Sequence, residues 1–283
     1  MNTALSPQAI SPSSSPRQVL LIARVELDRL LSQTKGLLTL AAYVLLWLLL
    51  LLFIVRDAVS IMQQPQAHEM VLELFGQGTV ANLFNWPVAE YAVFWCFAIM
   101  LQPLFAILLS AGQFADDIQR GTFRFLSLHC SRGALFLGRF VGALLVMALL
   151  NAATVVATLI MAVMRDGSLL GNALASGVLM WLVLMALLLP YIALMSLLSV
   201  LSHSRKQAII YATLYFTLMS MLIWSADWVF APLHYLSYLL PGAFADALYG
   251  VTPSGALALL GLPLAQCVLF LAVGFFAFKR SDV

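Results

Sequence analysis

Charge is what this chain has least of. Of its 283 residues 9% are Asp, Glu, Lys or Arg while 63% are hydrophobic, and the mean hydropathy is +1.00. Soluble domains carry roughly a quarter charged residues. Fourteen basic and twelve acidic side chains cannot clothe a soluble surface at this length, so lipid must serve as most of the solvent. The net charge of +2 is too small to point to a nucleic-acid partner. Cysteine is also scarce. Cys96, Cys130 and Cys267 lie far apart without a CxxC pair, which implies neither a disulfide framework nor a zinc site. Lysine occurs three times, followed by Gly36, Gln207 and Arg280. None fits the Gly-Lys-Ser/Thr of a phosphate-binding loop, so any ATP hydrolysis belongs to another subunit.

The four histidines, His68, His129, His203 and His234, are scattered, with no HExxH pair. Ser199, Ser202 and His203 lie close in sequence but outside any Gly-x-Ser-x-Gly, so they read as ordinary polar residues near a span end. Between its loops the chain has almost no ionisable residues, where an ion-coupled carrier keeps its coupling groups. That scarcity weighs against an ion-coupled secondary transporter working without an ATPase, which, with an integral membrane enzyme, is the rival reading.

What the chain does have is long uncharged runs. A charge at the bilayer centre costs about 2.5–3.5 kcal/mol, so the gaps between charges mark the spans. They fall at 36–55, 91–115, 140–164, about 174–201, between Lys206 and Asp227, and about 256–278. The fold class expected is all-α and polytopic, with six transmembrane helices. With the N-terminus inside, twelve basic residues are cytoplasmic and only Arg56 and Arg165 lie outside, which predicts cytoplasmic N- and C-termini. Trp86, Trp95, Trp181, Trp224 and Trp228 fall near the outer ends, as in an interfacial aromatic belt. Pro103 and Pro190 predict kinks near mid-membrane. Gln102, Asn151, Thr154 and Ser196 predict a translocation route or inter-helix hydrogen bonds.

Residues 1–16 read as a disordered tail without a cleavable leader, and 36–283 as the six-helix membrane bundle. Residues 17–35 carry a helical pattern, with Val19, Leu20, Ala23, Leu27, Leu30 and Leu31 on one arc and Arg24 and Asp28 spaced for an i,i+4 pair. This segment is either an amphipathic helix lying in the inner interface, with its apolar side in the acyl boundary, or the basic flank of the first span. Between the second and third spans, Asp116, Asp117, Arg120, Arg124, Arg132 and Arg139 share a short stretch with Phe123, Phe125, Leu126 and Leu128. Such a loop either docks a cytoplasmic partner or folds its aromatics back onto the membrane.

The order Asp116-Asp117, Gly121-Thr122, Ser131-Arg132, Gly138-Arg139-Phe140 resembles the loop after the second span of type-2 ATP-binding-cassette (ABC-2) permeases. Ala23-Arg24-Val25-Glu26-Leu27 is similar to that family's entry helix, with Arg24, Glu26, Asp28 and Arg29 as its charged residues. Phe278-Lys279-Arg280 is similar to the family's C-terminal ending, and Tyr235–Tyr249 resembles its outer re-entrant hairpin, broken at Pro241-Gly242. The departures are Asp116-Asp117 in place of glutamates and His129-Cys130 in place of a proline.

The resemblance implies a permease subunit of an ABC exporter in a bacterial plasma (inner) membrane, paired with a second copy or a paralogue, a homodimer being expected. A separate ATPase would carry ATP and Mg, with no cofactor in this chain and no nucleic-acid partner. The loop at about 113–137 would couple to that ATPase through Asp116, Asp117, Arg120, Gly121, Thr122, Phe123, Arg124 and Arg132. A lipid, an antibiotic or peptide, and a species needed for extracytoplasmic cofactor assembly are equally open as substrate.

Overall fold

The computed structural model describes residues 16–32, 34–62, 86–121, 131–226, 231–249 and 253–280, and every regular element among them is helical. Helix α1 (Pro16–Ser32) precedes α2 (Thr34–Leu49), which runs through a π-helical stretch (Leu50–Val55) into α3 (Arg56–Met62). Then come α4 (Ala89–Ser110), the short α5 (Ala115–Arg120), α6 (Arg132–Arg165), α7 (Leu170–Val200) and α8 (Arg205–Ala226). A 3-10 segment (Ala231–Leu239), α9 (Ala245–Tyr249), α10 (Pro253–Ala256) and α11 (Gly261–Arg280) complete the order.

Six helical stretches are long and apolar enough to cross a bilayer: Gly36–Ser60, Ala89–Arg120, Arg132–Arg165, Gly167–Val200, Arg205–Ser225 and Leu257–Arg280. They coincide with the six uncharged runs of the sequence. Helices dominate because a lipid solvent offers no partner to a free N–H or C=O, so each segment must pair its own backbone. The third and fourth spans have 34 residues each. At 1.5 Å per residue that is about 51 Å, well beyond a ~30 Å hydrocarbon core, so their ends project from it. Ser131 starts α6 by accepting the Ala134 amide at 3.2 Å. Asp166 ends it and caps the next turn, accepting the Ser168 amide at 2.9 Å and hydroxyl at 2.7 Å. The Ser168 hydroxyl first, and then its amide, hold the Asp166 carboxyl below its ordinary value.

Helix α7 is the most enclosed of the spans and α8 the least. Around α7 pack α4, α6 and α11, burying Leu184, Leu187, Leu188, Ile192 and Met195. Lipid tails are as apolar as leucine, so close packing and hydrogen bonds hold such a bundle, and small residues let backbones approach. Pro103 and Pro190 sit inside α4 and α7, and both helices continue through them. The polar residues of the spans mostly bond between or within helices. Gln102 Nε2 donates to the Tyr43 hydroxyl at 2.9 Å, Ser196 lies 2.7 Å from Gln113 Oε1, and Thr154 donates to its own helix at Asn151 O at 2.9 Å.

The hairpin before the last span breaks where the sequence indicated. Gly242 has φ +86° and abuts the Tyr191 hydroxyl, so the position demands glycine twice over. Pro241 and Phe244 at the break are buried, and neighbouring helices pair its free carbonyls, as non-helical backbone away from water requires. Gln266 Nε2 donates to Tyr238 O at 2.7 Å and Leu240 O at 3.1 Å, and Tyr215 donates to Leu239 O at 2.7 Å.

The tryptophan belt is only partly a belt. Trp86 and Trp95 are buried against each other, and Trp95 Nε1 donates to Leu248 O at 3.0 Å, fastening α4 to α9. Trp181, half-buried, donates to Ala148 O at 3.0 Å. Trp224 is exposed, and Trp228 lies outside the described residues. An indole N–H near a helix end is satisfied as well by a carbonyl inside the protein as by a headgroup.

Candidate functional site

The charged residues that the sequence groups in one loop converge with residues of three other helices at the end of the bundle that carries α1. Two features of α4 and α5 begin the site. Helix α4 stops at Ser110, the chain turns through 111–114, and α5 follows. Ser199 of α7 holds this turn with one hydroxyl. It accepts the amides of Phe114 and Ala115 at 3.0 Å each and donates to Ala111 O at 3.1 Å. A broken helix frees amides and carbonyls that must be paired when buried, and Ser199 is fully buried. Gly121, with φ +67°, ends α5, its N–H reaching back to Asp117 O and Ile118 O.

On α5 the two aspartates diverge. Asp117, 7% exposed, pairs with the Arg139 guanidinium of α6, whose other nitrogen pairs with Glu26 of α1. Asp116 accepts from Arg205 Nη2 of α8 at 2.7 Å. Arg29 of α1 lies 3.6 Å from Asp117, 3.8 Å from Asp116 and 3.9 Å from Glu26. Three carboxylates and three guanidiniums thus neutralise one another across α1, α5, α6 and α8. Arg139 is the keystone: at 6% exposure it bridges two carboxylates, and a charge buried so deeply is tolerable only because it is paired. Gly112 makes the room, since a Cβ there would stand 2.5 Å from Arg205 Nη2 and 2.8 Å from Asp116 Oδ2.

The seat of α1 explains the Gly-Arg-Phe motif. A Cβ on Gly138 would lie 2.7 Å from Ile22 Cβ, and one on Gly142 would lie 2.8 Å from Glu26 Cβ and 3.3 Å from Ala23 Cα. These glycines, one turn apart, form a groove in α6 into which α1 sinks. The seating of α1 divides its apolar arc. Ala23 and Glu26 face α6, while Leu20 and Leu31, placed with Ala23 on one arc, are 62% and 52% exposed. The glycine groove and the Glu26–Arg139 pair, rather than apolarity, fix the rotation of the helix. Arg24 and Asp28 are exposed, and among the described residues they form no ion pair.

A cluster of rings closes the other side of α5. Phe114 stacks on Phe136 at 5.5 Å, and Phe278 packs on both at 5.4 and 5.7 Å. Arg132, exposed, donates to Lys279 O at 2.9 Å, tying the start of α6 to the end of α11. Phe278 of the C-terminal motif therefore packs against the same turn that Ser199 holds, while the Lys279 carbonyl anchors Arg132.

Of the residues singled out from sequence, the structure brings Glu26, Arg29, Asp116 and Asp117 together and leaves Arg120 exposed beside them. Thr122, Phe123 and Arg124, with His129 and Cys130, lie outside the described residues. Sequence reasoning did not foresee Ser199 or Arg205 as members. The spacing Gly138-x-x-x-Gly142 was the available signal for the α1 seat.

The fold and this site define a class: a polytopic helical membrane protein whose second span ends in a short helix clamped to the N-terminal helix, the third span and the fifth. A family model described as ABC-2 family transporter protein matches residues 20–283, and the chain belongs to that family as a transporter membrane protein. No curated protein matches the chain.

Proposed function

We propose that this chain is the permease subunit of an ATP-driven exporter in a bacterial inner membrane. It works as a homodimer with cytoplasmic termini, driven by a separate ATPase that holds ATP and Mg. The observation that carries this reading is the ion-paired clamp on α5. A short helix at the mouth of a loop, joined by charge to α1, α6 and α8 and, through Phe114 at its start, by ring packing to α11, is built to pass a displacement of that loop to four elements at once. Twelve of the fourteen basic residues belong to this end by the assigned spans, which supports a cytoplasmic position for it under the positive-inside rule.

In this mechanism the coupling residues divide by role. Arg120, Thr122, Phe123, Arg124 and Arg132 offer charge and apolar surface to the ATPase, and Gly121 gives the chain its turn into that surface. Asp116 and Asp117 transmit: Asp117 through Arg139 to α6 and α1, Asp116 through Arg205 to α8. Arg24 and Asp28 face outward from α1, where lipid headgroups or the ATPase meet them, while Glu26 and Arg29 belong to the clamp.

Gentle solubilisation and affinity purification of the tagged chain should bring down a protein with a phosphate-binding loop, and Arg124→Glu should weaken that association. Purification of an active chain alone, with transport driven by a proton gradient in the absence of ATP, would refute the proposal.

A further inference from the structure

Beside the clamp, α5 and the first turn of α8 frame a recess of about 630 Å³, walled by Asp116, Gln119, Arg120, Ser204, Arg205 and Lys206. Its charges do not balance. Asp116, the one carboxylate among the described residues of the wall, is already held by Arg205 at 2.7 Å and faced by Arg29 at 3.8 Å. Arg120 and Lys206 are exposed, and neither forms an ion pair among the described residues. Two cations are therefore left for an anion that those residues do not supply. The backbone end of α8 is not part of this surplus. Ser204 accepts the Gln207 amide at 3.3 Å and Gln207 Oε1 accepts the His203 amide at 2.9 Å, so the helix is capped from within. Recognition must come from the two free side chains.

Length fixes the depth of the recess. The fifth span, Arg205–Ser225, has 21 residues, about 31 Å at 1.5 Å per residue, which matches a ~30 Å hydrocarbon core with nothing to spare. Unlike α6 and α7, whose ends project, α8 therefore begins at the hydrocarbon border, and Lys206 stands level with lipid headgroups. Beyond Lys206, deeper in the membrane, the same face is apolar. Ile210, Leu214, Leu218 and Met221 follow at spacings of three and four residues, each more than half exposed.

An occupant that places negative charge at the border and apolar body along this stripe is a phospholipid. A free phosphate would use only the first half of the surface, and an acidic loop of a cytoplasmic protein would have to enter the headgroup layer to reach it. We infer that the recess binds the phosphate of an anionic diacyl phospholipid, ion-paired with Arg120 and Lys206, with an acyl chain lying along Ile210 and Leu214. Basic residues at this level are drawn to anionic lipid, and the bound phosphate joins α5 to α8 beside the Asp116–Arg205 pair. Binding does not rest on the proposed function. Arg120 also belongs to the proposed ATPase surface and Lys206 does not, which lets the two be told apart.

The test uses the full chain, with any subunits that accompany it, in phosphatidylcholine nanodiscs. These are doped with a phosphatidylglycerol or a phosphatidylcholine carrying the same diazirine on one acyl chain. Photolabelling within residues 206–218, mapped by peptide mass spectrometry, is expected to be about fivefold or more greater with the phosphatidylglycerol probe. Unlabelled phosphatidylglycerol should displace it, and glycerol phosphate should not. Lys206→Gln and Arg120→Gln should each lower the preference about two- to fivefold and together abolish it. Arg17→Gln, an exposed cation of α1 that does not line the recess, should leave it unchanged. Equal labelling by the two probes, or a preference unchanged in the double variant, overturns the inference. Displacement by glycerol phosphate does so too, since the ligand is then a soluble phosphate. Protection of the Lys206 amine from acetylation by the ATPase and not by phosphatidylglycerol makes the recess a protein contact and refutes it, as does a Leu214→Cys disulfide between copies without lipid labelling. Absence of a lipid preference with ATPase capture intact sinks this inference alone. A lipid preference in a chain that captures no ATPase sinks the permease reading and leaves the site.

Discussion

Replacing Arg139 with methionine removes the keystone of the clamp while keeping much of its volume. The side chains concerned are 7% exposed at Arg139, 10% at Asp117 and 16% at Glu26, so two carboxylates lose their closest cation with little access to water. Breaking a buried pair from one side costs about 3–5 kcal/mol. Arg29 remains 3.6 Å from Asp117 and 3.9 Å from Glu26 and covers part of the deficit, so about 2–3 kcal/mol is expected. At roughly 2–4 °C per kcal/mol the melting temperature should fall by about 5–10 °C, read by fluorescence-detected size exclusion of heated samples in detergent. The decisive comparison is the combination Arg139→Met, Asp117→Asn, Glu26→Gln. With every charge of the bridge removed, most of the loss should return, since an isosteric apolar or neutral replacement of a buried ion network is close to neutral. The same protein should be stable yet uncoupled, with ATP hydrolysis by its partner no longer producing transport. The reasoning fails if Arg139→Met melts with the wild type, or if the combined variant is as unstable as the sum of its parts.

Three further outcomes follow from the geometry. Gly142→Leu should lift α1 from α6 and speed proteolysis after Arg24, whereas Gly171→Ala, whose Cβ would meet nothing within 4 Å, should not. Ser199→Ala strands two amides and a carbonyl at the α4–α5 turn, and should cost about 2–4 kcal/mol with faster amide exchange at Phe114 and Ala115. Gly242→Ala should destabilise the hairpin by about 2 kcal/mol or more; adding Tyr191→Phe should relieve only the clash with the hydroxyl, and full rescue in a thermal melt would contradict the strain at φ +86°.

The spans were legible in the sequence because the penalty for burying charge in hydrocarbon is local and large, so gaps between charges mark membrane segments with no knowledge of the fold. The break at Pro241-Gly242 was legible for a similar reason: both residues act on their own backbone. The aromatic-basic ending and the Ser131 cap could be seen as residues, yet what they meet could not. Phe278 packs on a ring 164 positions earlier in the chain, at Phe114. The apolar arc of α1 was legible as a pattern, but periodicity measures only which residues shun water. In lipid that preference does not choose between a neighbouring helix and an acyl chain, and two glycines of α6 made the choice instead.

By itself, then, the sequence determined the solvent, the number of apolar helices long enough to cross and the residue types at the charged end, each of which depends on one stretch of chain at a time. Tertiary structure decided which charges face which. It turned Asp116 and Asp117 from a displayed acidic pair into members of an ion network with Glu26, Arg29, Arg139 and Arg205, buried at Asp117 and Arg139. The reason is that an ion pair's strength depends on separation and burial in space, and no local pattern encodes either for residues ninety positions apart.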